Sequence, residues 1–293
     1  MPRFNPALHL WVISILLPGV LHACNPPITP SEVGAPIACA EIGQSWTSPV
    51  DGMQLVCVPA GGFYMGASVN DLTAAQDEKP QHRVYLDSFW IDRTEITNAM
   101  FSQCVASGAC HKRSYSPYLW GVELPNGTPY YREAKFQDYP VIMLDSDEAQ
   151  AYCKWAGRRL PYEAEWEKVA RSTDGLLYPW GAVLDCEHAN YLDCKKGPVS
   201  VNSYSSSASS YGALNVIGNM WEWVADWYDA NYYTQSPLQN PSGPADGEYR
   251  VLRGGGWNSI SLELRVTNRT TGKPEHSTDG AIGFRCAVSI ANP

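Results

Sequence analysis

The chain predicts an α+β domain low in regular secondary structure, and three observations carry that prediction. Helix-like segments fall in the middle of the sequence and strand-like segments near both ends. Punctuation is dense, with 24 Gly and 22 Pro in 293 residues, which leaves little room for long helices. Apolar residues make up 44% and charged residues 17%, and 11 Trp and 17 Tyr add bulk, so a sizeable core can be buried. No internal repeat is visible.

Taken in order, residues 1–23 read as a targeting segment: Arg3 ahead of an apolar run from Leu8 to Leu21, then the small-residue site Ala23-Cys24. The run is broken by Pro18 and is short for a membrane span. It resembles a bacterial lipoprotein signal in which Cys24 carries the lipid. Because His22 is unusual there, plain secretion with cleavage nearby stays open. Residues 24–52 are polar and Pro-rich and read as a tether, with order expected from Met53 and a single domain over 53–293. The expected location is the bacterial cell envelope by lipid anchor, or the exterior if Cys24 is not lipidated.

MQLVCVPAGGFYMGA reads as strand, turn and strand with Gly61-Gly62 at the turn, and Asp71 to Pro80 as a charged loop. HRVYLDSFWIDRTEIT alternates like a half-buried strand. Thr97-Asn98 can start a short helix that ends near Gly108. Residues 111–138 lack a period and read as a surface insertion, followed by a short strand from Pro140 to Leu144. Asp145 with Glu148 predicts a capped helix stopping at Gly157. A further helix follows Pro161, with Glu165, Glu167 and Lys168 on its solvated face. Tyr178 to Gly181 is a turn and residues 186–210 a loop; RVLRGGGWN, LRVTNR and AIGFRCAV are late strands.

Apart from Cys24, eight cysteines remain: Cys39, Cys57, Cys104, Cys110, Cys153, Cys186, Cys194 and Cys286. In an exported chain an even number reads as disulfides, with 105 connectivities open. Cys104 with Cys110 and Cys186 with Cys194 are near enough in sequence to close local loops. The net charge of −9, with Lys and Arg scattered, gives no nucleic-acid footprint.

The densest stretch is YGALNVIGNMWEWVADWY, residues 211–228. Three indoles in seven residues require burial with a partner for each N–H. Asn215 and Glu222, with carbonyls near Gly218 and Met220, form an oxygen set suited to a hard cation; a Trp-rich core hairpin with polar groups satisfied locally is the alternative.

PAGGFYMGA, EKPQHRVYLDSFWIDRTEIT, AYCKWAGRRLPYEAEWEKVAR, YPWG, GALNVIGNMWEWVADWY, RVLRGGGWN and IGFRCA together resemble the family of the formylglycine-generating enzyme, or sulfatase-modifying factor, in that family's order over roughly residues 53–288. The resemblance implies a compact, irregular single domain of the C-type-lectin-like kind. It implies Ca²⁺ at Asn215, Gly218, Met220 and Glu222, and a second calcium site beginning at Asn190 and the Tyr191 carbonyl, where Asp193 can substitute in a shortened loop. It also implies a bridge from Cys153 to Cys286, which leaves Cys39 for Cys57.

The resemblance fails at the chemistry. Oxidising members bind copper through two cysteines whose positions match Ser259 and Leu264, so copper is not expected. His82, His111, His188 and His276 lack the spacing of an iron site, and iron-using relatives draw histidines from an extra helical domain absent from this sequence. No His–carboxylate pair can be assigned to Ser259 as a nucleophile. The sequons at Asn126 and Asn268 are idle in a bacterial setting. The reading is therefore an exported binding or scaffold domain for a polypeptide or envelope glycan, with an oxidoreductase of non-standard site as the alternative. Trp221, Arg253, Trp257, Asn258, Ser259 and Arg285 are the expected pocket, although Arg253 and Arg285 suit buried ion pairs equally well.

Overall fold

In the computed structural model the described residues are 1, 38–111, 118–119, 122–123, 130, 133–192, 194–275 and 280–290. The leader, Cys24, Asn126, Asp193, His276 and most of the 111–138 insertion lie outside them. The strands are β1 (Ser45–Thr47), β2 (Gln54–Val58), β3 (Gly61–Met65), β4 (His82–Leu86), β5 (Phe89–Asp92), β6 (Tyr118–Leu119), β7 (Val122–Glu123), β8 (Trp221–Trp227), β9 (Arg250–Arg253), β10 (Arg269–Gly272), β11 (Ile282–Gly283) and β12 (Ala287–Ser289). The helices are α1 (Asn98–Ala106), α2 (Ser146–Trp155) and α3 (Glu163–Arg171). Four-stranded sheets with orders β1-β2-β5-β12 and β10-β9-β8-β11 form the body, with β3-β4 and β6-β7 as two-stranded ribbons. The fold is α+β, as the sequence predicts.

Local chemistry explains the helix boundaries. Thr97 caps α1 by accepting from Met100 N at 3.3 Å. Asp145 Oδ1 accepts from Glu148 N at 2.8 Å while Glu148 Oε2 accepts from Asp145 N at 3.2 Å, the reciprocal cap read from the sequence. For α3 the first-turn amides find carboxylates instead: Tyr162 N donates to Glu165 Oε2 and Glu163 N to Asp226 Oδ2.

Several expectations are corrected. Order begins by residue 38, not near Met53: β1 pairs with β2, and Cys39 is bonded to Cys57, so the second half of the supposed tether belongs to the domain. Gly61-Gly62 does not close a hairpin, because β2 pairs with β5 while β3 pairs with β4. HRVYLDSFWID is likewise two strands in two sheets, β4 alternating and β5 wholly buried. Pro140 to Leu144 is no strand; only Pro140 bridges, to Thr97. The late strand begins at Arg269, after a 3-10 turn at Ser261–Leu264. The last expected strand is split: β11 runs parallel to β8, and β12 runs antiparallel to β5, so residues 282–289 pass from one sheet to the other.

The largest correction is α3. Its expected solvated face is inside: Glu165 is 6% exposed, Glu167 0% and Lys168 1%. The helix packs on β3, β4, β8 and β9, and its charges meet partners there. Glu167 accepts from Gly66 N at 2.7 Å and from Arg253 Nη2 at 2.6 Å, and Lys168 Nζ donates to the carbonyls of Pro59 and Gly61. Burial pulls the Lys168 ammonium down to about 8.

All four expected disulfides are present, Cys39–Cys57, Cys104–Cys110, Cys153–Cys286 and Cys186–Cys194, which is compatible with an oxidising, extracellular setting. No helix among the described residues is long and apolar enough to cross a membrane.

Candidate functional site

The Trp-rich stretch becomes a tight loop followed by β8. Asn215 and Asn219 hold φ of 50° and 66°, a left-handed conformation that Asn tolerates better than most residues. At Gly218 a Cβ would sit 2.6 Å from the Asn190 carbonyl, so only glycine allows the approach. The loop is stitched on both sides: Asn219 N donates to Asn190 O, Gly218 N to Gly254 O and Trp257 N to Asn219 O. Of the indoles, Trp221 and Trp223 are buried, with Trp223 Nε1 donating to Leu144 O; Trp227 is half-buried beneath the Arg250 guanidinium, 3.6 Å away.

Inside the loop lies a polar cluster that includes a residue missed by sequence reasoning. Glu95 is fully buried, and its two oxygens accept from Asn219 Nδ2 at 2.8 Å and Asn215 Nδ2 at 3.1 Å. Burial, with the Glu222 charge adding to it, pushes the Glu95 carboxyl up to about 7 although Arg285 opposes. Glu222 is itself held by Arg285, Nε to Oε2 and Nη2 to Oε1 both at 2.7 Å, and by Trp166 Nε1 at 2.8 Å. The Asn215 and Asn190 Oδ1 atoms are buried with no hydrogen-bond partner. The orphaned Asn215 oxygen beside the destabilised Glu95 carboxylate is what an oxygen-ligated cation would satisfy and fits Ca²⁺, and the orphaned Asn190 oxygen lies at the second expected position. Among the described residues no group of three or more His, Cys, Asp or Glu is arranged for a metal, so the set depends on amide and carbonyl oxygens. At the second expected position, Asn190 Nδ2 donates to Gly197 O and the Tyr191 carbonyl accepts from Cys194 N.

The region matching the copper cysteines is a closed loop end. Ser259 is 3% exposed; its Oγ accepts from Gly256 N at 3.1 Å and its carbonyl from Leu192 N. Leu264 is fully buried in the core. Every described cysteine is in a disulfide, so no thiolate among the described residues is available here. The residues do not fit copper. His82 Nδ1 faces Pro80 O, and His188 pairs with Asp185 while stacking on Trp180, so the two stand in separate places.

Among the described residues the expected pocket does not assemble as one. Arg253 is 0% exposed and bound to Glu163 and Glu167, and Arg285, also 0% exposed, is bound to Glu222; both are core ion pairs. Trp221 packs in the core around Cys153 and Cys286. Trp257 is half-buried beside Tyr130, Ile142 and Met220, with Nε1 donating to Gly280 O, and Asn258 is exposed next to it.

Residues 41–290 match the model of the sulfatase-modifying factor enzyme 1-like domain. The chain belongs to that family. A formylglycine-generating enzyme of Streptomyces coelicolor is 33% identical, over 86% of this chain and 94% of its own length. A hercynine oxygenase of Mycolicibacterium smegmatis is 31% identical over 87% of this chain and 65% of its own. Among solved structures, PvdO from Pseudomonas aeruginosa superposes with a TM-score of 0.71 at 25% identity, covering 85% of this chain and 99% of that one. The family's fold is thus present.

Proposed function

We propose that this protein is a calcium-supported binding or scaffold member of the sulfatase-modifying factor family, exported to the cell envelope and recognising a polypeptide or envelope glycan. The observation that carries the reading is the Ser259–Leu264 turn, whose two ends are buried: Gly256 N donates to Ser259 Oγ, and the Leu264 side chain fills the core where oxidising members hold a thiolate pair. In this reading Asn215, Glu95 and Glu222 and the carbonyls of Gly218 and Met220 hold the ion, with Asn190 and Tyr191 starting a second site. The ion supplies fixed positive charge to a cluster in which burial otherwise penalises Glu95. Cys24 supplies the lipid anchor, and the net charge of −9 directs binding away from nucleic acid.

The relatives named for oxidation favour the competing reading, an oxidoreductase with a different metal or site. Metal analysis of the purified chain, followed by incubation with a Cys-x-Pro-x-Arg peptide, oxygen and added copper, separates the two. Calcium without copper, and an unchanged peptide, are expected. Stoichiometric copper or iron with conversion of the peptide cysteine would overturn the binding reading.

A further inference from the structure

A cavity of about 350 Å³ lies between the connection after β5 and the first turn of α1, and neither Ser259 nor Leu264 lines it. Its lining includes the polar residues Arg93, Asp138 and Asn202 and the apolar residues Met53 and Met100. The backbone of Arg93 is pinned: its N–H donates to Gln54 O at 2.8 Å, and its carbonyl accepts from Leu214 N at 2.7 Å and Arg285 Nη1 at 3.3 Å. The side chain is half-buried and makes no ion pair or hydrogen bond among the described residues. By contrast Arg158, Arg253, Arg265 and Arg285 each reach a carboxylate. A guanidinium held on a fixed backbone, aimed at a cavity and left without an acceptor is prepared for a planar anion.

The second charge of the cavity narrows the ligand. Asp138 Oδ2 accepts from Ser200 Oγ at 2.6 Å, and no cation pairs with it among the described residues, Arg93 included. A dianion at Arg93 would share the cavity with this carboxylate and be repelled, whereas a ligand with its own cation would satisfy both ends. The start of α1 adds positive potential but no donors, because the amides of Ala99 and Met100 are already taken by Gln137 O and Thr97 Oγ1. The volume suits a small molecule.

We propose that this cavity binds a small amphoteric ligand, a free α-amino acid or short peptide with an apolar side chain, its carboxylate on Arg93, its ammonium toward Asp138 and its apolar part on Met53 and Met100. The site is independent of whether the family's oxidase chemistry survives. Calorimetric titration of the purified full chain tests it, with L-leucine and glycyl-leucine as probes and 4-methylpentanoate as the leucine skeleton without its amine. Binding of leucine but not glycyl-leucine assigns a free amino acid; the reverse assigns a peptide. Arg93→Gln should weaken the bound probe by about tenfold or more, as loss of a charge-assisted pair would. Asp138→Asn should abolish the preference for the amine-bearing probe, weakening its binding while leaving 4-methylpentanoate bound as tightly as before or more tightly. Both variants should keep the wild-type melting temperature, since neither side chain is in the core. The proposal fails if neither amphoteric probe binds at millimolar concentration, if 4-methylpentanoate binds wild type as tightly as they do, or if either variant binds like wild type.

Discussion

The two four-stranded sheets are fastened by opposite means. In β1-β2-β5-β12 the inward residues are mainly apolar or sulfur-bearing: Leu55, Val56, Cys57, Phe89, Trp90 and Ile91 are buried, Asp92 at the end of β5 is the buried carboxylate among them, and cystines tie β2 to Cys39 and the segment before β12 to α2. In β10-β9-β8-β11 the interior is ionic. Arg253 and Arg269 stand directly opposite one another across β9 and β10, a like-charge pairing that is ordinarily destabilising. Glu163 of α3 neutralises it, with Oε1 3.0 Å from Arg253 Nη1 and 2.7 Å from Arg269 Nε. Burial pushes the Glu163 carboxyl up, but Arg269 and Arg253 outweigh burial and hold it below its ordinary value. An apolar sheet can lose one contact and relax, whereas an ionic one leaves a bare charge when one member is removed.

Three measurements sharpen or break that contrast. Replacing both Cys153 and Cys286 with Ala frees a loop of 133 residues and should lower unfolding free energy by about 5 kcal/mol, while removing Cys104–Cys110, separated by 6, should cost about 2. Equal losses in urea unfolding would show that loop closure is not what these bridges contribute. Next, Arg253→Ala should destabilise by about 3–5 kcal/mol, because Glu163 and Glu167 are left buried without it. A urea midpoint close to wild type would mean that the second sheet is not held by its ions.

The third and smallest effect concerns Asp92 on β5. Burial pushes its carboxyl up to about 7, with the Asp51 charge adding to this and Arg158, at 3.1 Å, opposing it. The folded state therefore binds this proton more tightly than the unfolded chain, whose carboxyl titrates near 4. Stability contributed by the protonated form is present below about pH 4 and is lost as pH rises toward 7. Asp92→Asn should flatten that fall in melting temperature between pH 4 and 7, and an unchanged slope would remove Asp92 as its source.

The same contrast explains what could be read from the sequence. Asp145 with Glu148, Thr97 before α1, and the run QLVCV all report on structure within a few residues of themselves, and they folded as expected. Glu165, Glu167 and Lys168 were assigned to solvent because a charge is ordinarily exposed, and their true partners include Arg253, far along the chain. The tight loop ahead of β8 was legible through its Asn, Gly and Glu pattern. Glu95 was not, since nothing near Thr94-Glu95-Ile96 announces that Asn215 and Asn219 will fold over it. Arg93 and Asp138 are still less visible, because only the tertiary arrangement places both on one cavity.

The crossing segment at residues 282–289 sets a timetable for the whole molecule. Ile282–Gly283 supplies the outer edge of one sheet and Ala287–Ser289 that of the other. Until residues 282–289 have been synthesised, the polypeptide therefore has both sheets unfinished. Cys286 also arrives last, so the longest cross-link waits for the same moment. Both sheets therefore close together, and only once residues 282–289 are in place.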